Sequence, residues 1–166
     1  MAYSGKYKPK NPNKYKGDST NIVFRSMWER YCFVWLDENS NITSWSSEEV
    51  IIPYFYEVDK KYHRYFIDLK FTTAANETFI VEIKPHKETE PPKRPDKTKR
   101  YLTEAMTFVK NQNKWKAAEE YAKDHGWKFM IWTEKELTAM GILPKQSDQA
   151  LKPLKPLKPF RAKKKK

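Results

Sequence analysis

The chain has 166 residues, enough for one domain with a real core and too few for two large ones. A single cysteine, Cys32, excludes an internal disulfide and fits a reducing compartment, and no stretch reaches the roughly 18 apolar residues of a membrane span. The net charge of +12 lies at the ends: residues 1–20 hold five lysines and one aspartate, residues 151–166 seven lysines, one arginine and no acid, while residues 21–150 balance 20 basic against 20 acidic side chains.

The opening run, MAYSGKYKPKNPNKYKG, is polar and basic and lacks the apolar stretch of a signal peptide. Its Lys, Asn, Pro and Gly content without periodicity predicts an extended basic arm over residues 1–20. From Asn21 the pattern turns helical, with Trp28, Tyr31, Cys32, Trp35 and Leu36 spaced by three and four and Glu29 at the edge of that stripe. SNITSWSSEEVIIPYFYEV reads as loop and strand, with Pro53 at an edge or bulge. YHRYFIDLKF reads as one strand, TTAANE as a turn, and TFIVEIKP as the next strand, antiparallel because the connection is short.

A polar, proline-rich loop follows, HKETEPPKRPDK. Helical spacing resumes with Tyr101, Leu102, Ala105, Phe108 and Val109 and, after an interruption at Asn111-Gln112-Asn113, with Trp115, Ala118, Tyr121 and Ala122, ending at a Gly126 cap. WKFMIW predicts a further buried strand. Thr133 and Glu136 form a capping box that opens a short last helix ending near Gly141. The fold class is therefore α/β with a small mixed sheet, a domain over 21–145 and a tail over 146–166. In that tail LKPLKPLKP repeats Leu-Lys-Pro three times, which forbids a helix and favours polyproline II. Lys152, Lys155, Lys158, Arg161, Lys163, Lys164, Lys165 and Lys166 make it a basic arm suited to sequence-independent phosphate binding, with a solubilising tail as the alternative.

The chemistry concentrates in FIVEIKP. Strand alternation puts Glu82 and Lys84 on one face and Val81 and Ile83 on the other. Asp68, on the preceding strand, adds a second carboxylate. Two carboxylates on adjacent strands repel, and burial would neutralise one. A divalent cation keeps both ionised, and an all-oxygen set suits Mg²⁺ or Mn²⁺. Such a metal acidifies a water and neutralises phosphodiester charge, while Lys84 can hold the attacking water or steady the transition state. Glu57, Asp68 and Lys70 form a rival trio. A plain ion pair between Glu82 and a lysine across the sheet is an equal alternative from the strand alone.

At these residues the chain resembles a family. Asp68 followed by Glu82-x-Lys84 resembles the PD-(D/E)xK nuclease core, and FRSMWERYCFVWLDEN, SWSSEEVIIPY, YFIDLKF, FIVEIKP and FMIWTEKEL together resemble the N-terminal catalytic domain of TnsA-type endonucleases over roughly residues 22–142. The small size and basic ends are similar to the head-completion nucleases of T-even-type tailed phages. The resemblance implies a restriction-endonuclease-like fold with disordered basic termini and a Mg²⁺- or Mn²⁺-dependent deoxyribonuclease. The catalytic residues it implies are Glu29, Asp68, Glu82 and Lys84, with Glu29, Asp68, Glu82 and the Ile83 carbonyl around the metal. Ile67 departs from it, standing where the motif usually has proline.

It further implies action on packaged double-stranded DNA during head completion and head–tail joining. Endonuclease activity is expected, with exonuclease activity also open. The setting would be the host cytoplasm or the virion, the protein partners portal or neck proteins at the head vertex, with no membrane and no small-molecule substrate. A non-catalytic DNA-binding neck or head-assembly protein is the alternative, and it predicts that the four site residues do not converge. An RNA-binding module is a second rival. It would expose aromatics on a sheet face, such as a stacking pair, whereas the strand aromatics here alternate with charges in a way that suits a core at least as well. Ser26 reads as a helix cap or a phosphate contact, Glu48 as a solvated acid or a supporting group, His86 as a loop histidine or a phosphate contact, and Cys32 as core.

Overall fold

Periodicity and caps place the elements, and pairing across them makes the molecule. A computed structural model of the chain describes residues 4–93 and 98–144. The strands are β1 (Gly5–Tyr7), β2 (Ile22–Phe24), β3 (Ile42–Ser47), β4 (Ile51–Tyr56), β5 (Lys61–Phe66), β6 (Leu69–Thr73), β7 (Thr78–Ile83) and β8 (Lys128–Trp132), and the helices are α1 (Met27–Glu38), α2 (Lys99–His125) and α3 (Glu134–Ala139). The main sheet has the order β3-β6-β7-β8. It is antiparallel up to β7, and β8 returns parallel to β7 because α2 carries the chain back across the sheet. The pairs β1–β2 and β4–β5 are separate two-stranded sheets.

One core lies between α1 and one sheet face, built from Phe33, Leu36, Trp45, Leu69, Val81 and Trp132. A second lies between the other sheet face, α2 and the inner face of the β4–β5 hairpin, with Ile52, Tyr54, Tyr65, Ile67, Ile80 and Trp115. Even-numbered residues of β7 thus point towards α2 and odd-numbered ones towards α1, so the strand is covered on both faces.

Four sequence expectations are corrected. The segment expected to be an extended arm is folded from residue 4 onward. β1 pairs with β2, and Tyr15 bridges Trp45. The cause is the C-terminal end of α1. Asp37 is fully buried. It accepts from the Tyr7 hydroxyl at 2.7 Å and from the Lys10 and Asn11 amides at 2.7 and 3.0 Å. Lys14 Nζ donates to the carbonyls of Leu36, Asp37 and Asn39 at 2.8–2.9 Å. A helix end leaves carbonyls without partners and favours a cation, so this segment is ordered by what it caps.

Second, residues 22–24 are strand rather than helix, and Ser26 opens α1 by accepting from the Glu29 amide at 3.2 Å. Third, the single strand expected over YHRYFIDLKF is two, with Ile67 and Asp68 stepping from the hairpin to the main sheet. Fourth, α2 runs unbroken through Asn111-Gln112-Asn113. Asn111 is buried and Asn113 exchanges hydrogen bonds with Glu57, contacts that outweigh a modest propensity penalty.

The Gly126 cap, with φ of 70°, and the Thr133–Glu136 capping box form as expected. The C-terminal arm, with its polyproline II reading and its eight cations, lies outside the described residues.

Candidate active site

Asp68 occupies the two-residue step between β5 and β6. The step is held by Ile67, whose amide donates to the Val50 carbonyl at 3.0 Å and whose carbonyl accepts from the Glu48 amide at 3.1 Å. Proline has no N–H to donate, so this hairpin junction uses a bond that a proline at position 67 could not make. Asp68 Oδ2 in turn accepts from the Ile83 amide at 2.8 Å, tying it to the end of β7.

Glu82 shares the α2-facing side of β7 with Ile80 and is only 6% exposed. A carboxylate there needs partners. The Tyr65 hydroxyl donates to Oε2 at 2.5 Å, and Lys84 Nζ lies 3.6 Å from Oε1. The lysine across the sheet that the ion-pair alternative assigned to Glu82 is replaced by a tyrosine from the hairpin and a lysine just past the end of its own strand. Burial pushes the Asp68 carboxyl well above its usual range, the Glu82 charge adds to that, and the Ile83 amide opposes it. Asp68, Glu82 and Lys84 are thus gathered at one place.

Glu29 reaches this place from the opposite face of the sheet. It lies in the first turn of α1, and its Oε2 accepts from the Arg25 amide at 3.1 Å. Burial raises its carboxyl, with the Glu48 and Glu82 charges adding and Arg25 opposing. It is in electrostatic reach of Glu82 and Asp68. Among the described residues, no three Asp, Glu, His or Cys side chains form a ready-made metal cage. The donor set that is present is a pair of carboxylates beside a strand-end carbonyl. All are oxygen ligands, and Mg²⁺ binds through one or two carboxylates while keeping waters.

The rival trio does not assemble, because Glu57 and Lys70 are directed away from Asp68. Asn113 hydrogen-bonds Glu57 at 3.0 Å, and Lys70 Nζ lies over the Trp127 ring at 4.3 Å. Cys32 is fully buried, and burial raises its thiol. The Ser26 side chain caps α1. The His86 amide donates to Glu134 at 2.9 Å, and its ring lies 3.2 Å from Glu90, so it anchors the loop after β7 to α3. Glu48, with a positive φ of 55°, forms an ion pair with Arg25.

Three groups at the site carry no signal in the sequence: Tyr65, which holds Glu82; Arg25, whose charge is felt by both Glu29 and Asp68; and Lys114 of α2, within electrostatic range of Glu82 and Asp68. Their neighbours are set by packing rather than spacing. The expectation that strand aromatics would be core is also corrected in part. The inner hairpin face buries Tyr54, Tyr56 and Tyr65, but the outer face exposes Ile51, Phe55, Phe66 and Tyr62, the last 77% exposed. Directly paired Phe55 and Tyr62 have ring centroids 5.4 Å apart.

Residues 39–134 match the family of TnsA-like endonuclease N-terminal domains. The chain is also similar to the head completion nuclease of Enterobacteria phage T4, at 46% identity over 147 residues, covering 86% of this chain and 98% of that protein.

Proposed function

This chain belongs to the family of TnsA-like endonuclease N-terminal domains, and from that premise we propose that it is a divalent-metal-dependent DNA nuclease acting in phage head completion. The observation that carries the reading is the meeting of Asp68 and Glu82 beside Lys84 at the end of β7, where two acidic groups are held together against their repulsion. A buried carboxylate pair is costly unless a cation relieves it. The similar phage T4 protein is named as a head completion nuclease, which supports both the activity and the setting.

Asp68, Glu82 and the Ile83 carbonyl would hold Mg²⁺ or Mn²⁺, with Glu29 as a further acid. Such a bound ion supplies an acidified water and neutralises charge on the phosphodiester. The Ile83 amide fixes the Asp68 carboxylate and Tyr65 fixes that of Glu82, so neither must reorganise when substrate arrives. Lys84, 3.6 Å from Glu82, orients the attacking water or steadies the negative charge that develops on the phosphoryl oxygens. The water's oxygen attacks phosphorus and gives up a proton to solvent, the P–O3′ bond breaks, and the 3′ oxygen leaves with a proton taken from solvent. Portal or neck proteins are the proposed neighbours at the head vertex.

The test is nicking of supercoiled plasmid by the purified chain in Mg²⁺, Mn²⁺, Ca²⁺ and excess chelator. Cleavage is expected with Mg²⁺ and Mn²⁺. Ca²⁺ is larger and less demanding in geometry, and should support binding only. Full activity in chelator, or nicking by Asp68→Ala at the wild-type rate, would reject the mechanism. Binding of DNA without cleavage under any metal would favour the non-catalytic assembly protein.

A further inference from the structure

Lys114 is the least explained charged group near the site. It is half-buried on α2, yet among the described residues its ammonium makes neither a hydrogen bond nor an ion pair. Nζ lies instead over the rings of Tyr65 and Tyr54, 5.2 and 5.9 Å from their centroids. Tyr65 is the residue that holds Glu82, so the ammonium is one ring away from the carboxylate pair. One turn earlier on the same helix face, Lys110 Nζ lies over Tyr56 at 5.0 Å. Four residues of α-helix advance about 6 Å, so α2 presents two ammonium groups in line along a tyrosine-lined wall.

The charges say what such a group is for. Three carboxylates, those of Glu29, Asp68 and Glu82, face two ammonium groups, those of Lys84 and Lys114. Arg25 is paired with Glu48 and drops out of the count. One divalent cation turns the excess of one negative charge into an excess of one positive charge. A single phosphodiester restores neutrality. A lysine meant only to neutralise the acids would make an ion pair with one of them, as Lys84 does with Glu82. Lys114 gives none of its three donors to an oxygen acceptor among the described residues and lies within electrostatic range of Glu82 and Asp68, while burial draws its ammonium towards the neutral form.

Resting on the nuclease reading above, we propose that Lys114 is a phosphate-positioning residue: its ammonium holds a non-bridging oxygen of the DNA phosphate at the site, and Lys110 holds that of the adjacent phosphate on the same strand. The aromatic faces attract the ammonium itself through its charge and leave it without an oxygen acceptor. Holding the strand from α2 leaves Lys84 free for the reacting water.

The experiment uses the full chain and a short duplex oligonucleotide, with Ca²⁺ in place of Mg²⁺ so that binding is read without turnover. Affinity is measured at several salt concentrations for wild type, Lys114→Met, Lys114→Arg and, for a cation at the far end of α2, Lys123→Ala. Melting temperature is followed in parallel. Lys114→Met should weaken binding and flatten the slope of log K against log salt by about one. Lys114→Arg should restore the slope, and Lys123→Ala should change it less than Lys114→Met. Lys110→Met should flatten it by a similar amount.

A folded Lys114→Met with the wild-type slope overturns the proposal, as does a variant that lowers only the melting temperature. Plasmid nicking separates the two readings. A wild-type chain that binds and never cleaves, yet loses slope on Lys114→Met, keeps the phosphate contact and rejects the nuclease. A chain that cleaves while Lys114→Met keeps its slope does the reverse. A wild-type chain that binds no duplex overturns both.

Discussion

The Tyr65 hydroxyl donates to Glu82 Oε2 at 2.5 Å, joining the inner face of the β4–β5 hairpin to the charged strand β7. Both groups are buried. Tyr65→Phe removes the donor and keeps the ring. A hydrogen bond to a charged group contributes about 1.5–3 kcal/mol, so urea unfolding should show a loss in that range. Turnover should fall as well, because Glu82 loses its fixed orientation. Unchanged stability would mean that the hydroxyl does not hold the carboxylate.

Lys84 and Lys70 can be told apart by kinetics. Lys84→Ala should lower turnover by roughly two to three decades, the usual cost of a lost donor to developing charge. Lys70→Ala loses its contact over Trp127, worth about 0.5–1 kcal/mol of stability, and should leave turnover near wild type. The opposite pattern would move the site towards Glu57, Asp68 and Lys70.

Asp68 gives a stability signature that depends on pH. Its carboxyl is raised in the folded chain by burial first and by Glu82 second. Below the unfolded carboxylate pKa of about 3.9, both states are protonated and burial of a charge costs nothing. As pH rises through that value the unfolded chain ionises first, and folding becomes less favourable until the raised folded pKa is passed. In metal-free buffer Asp68→Asn should therefore raise the melting temperature at neutral pH. The gain should vanish in acid below about pH 4, the unfolded carboxylate range. Scanning calorimetry across pH measures this, and a gain that grows on acidification would reverse the assignment.

Asp37 tests the folding of the N-terminal segment. Asp37→Ala strands the Tyr7 hydroxyl and the amides of Lys10 and Asn11. A loss of about 3 kcal/mol is expected for a buried, multiply bonded carboxylate. Limited proteolysis should then cut before residue 20. Wild-type resistance to both urea and protease would mean that residues 4–20 are held by other contacts.

The C-terminal cations make a separate prediction from sequence alone. Removing residues 151–166 deletes eight positive charges. Full engagement with duplex phosphates would change the salt slope by about seven, and partial engagement by about three to six. Affinity for all sequences should fall together while the catalytic rate on bound DNA is kept. An unchanged slope would assign the tail to a protein partner.

What the sequence determined by itself was everything that acts over a few residues. The capping box at Thr133 and Glu136, the left-handed cap at Gly126 and the alternation that puts Glu82 and Lys84 on one face are local, because each depends on neighbours within one turn or one pleat. The α/β order followed from those periods. The placement of Asp68 one hairpin before β7 was legible too, since a short turn leaves adjacent strands little choice but to pair.

Tertiary structure alone decided the rest. The segment of residues 4–20 looked like a free arm because its partner, the end of α1, lies more than twenty residues away. Helix α2 stayed whole at Asn111 because burial outweighs propensity. Glu29 approaches from the face opposite α2. Tyr65 and Lys114 join the site through packing of a hairpin and a helix that no spacing encodes. Period and capping are properties of one element, whereas the polar surroundings of a buried charge are supplied by whichever elements the core brings together.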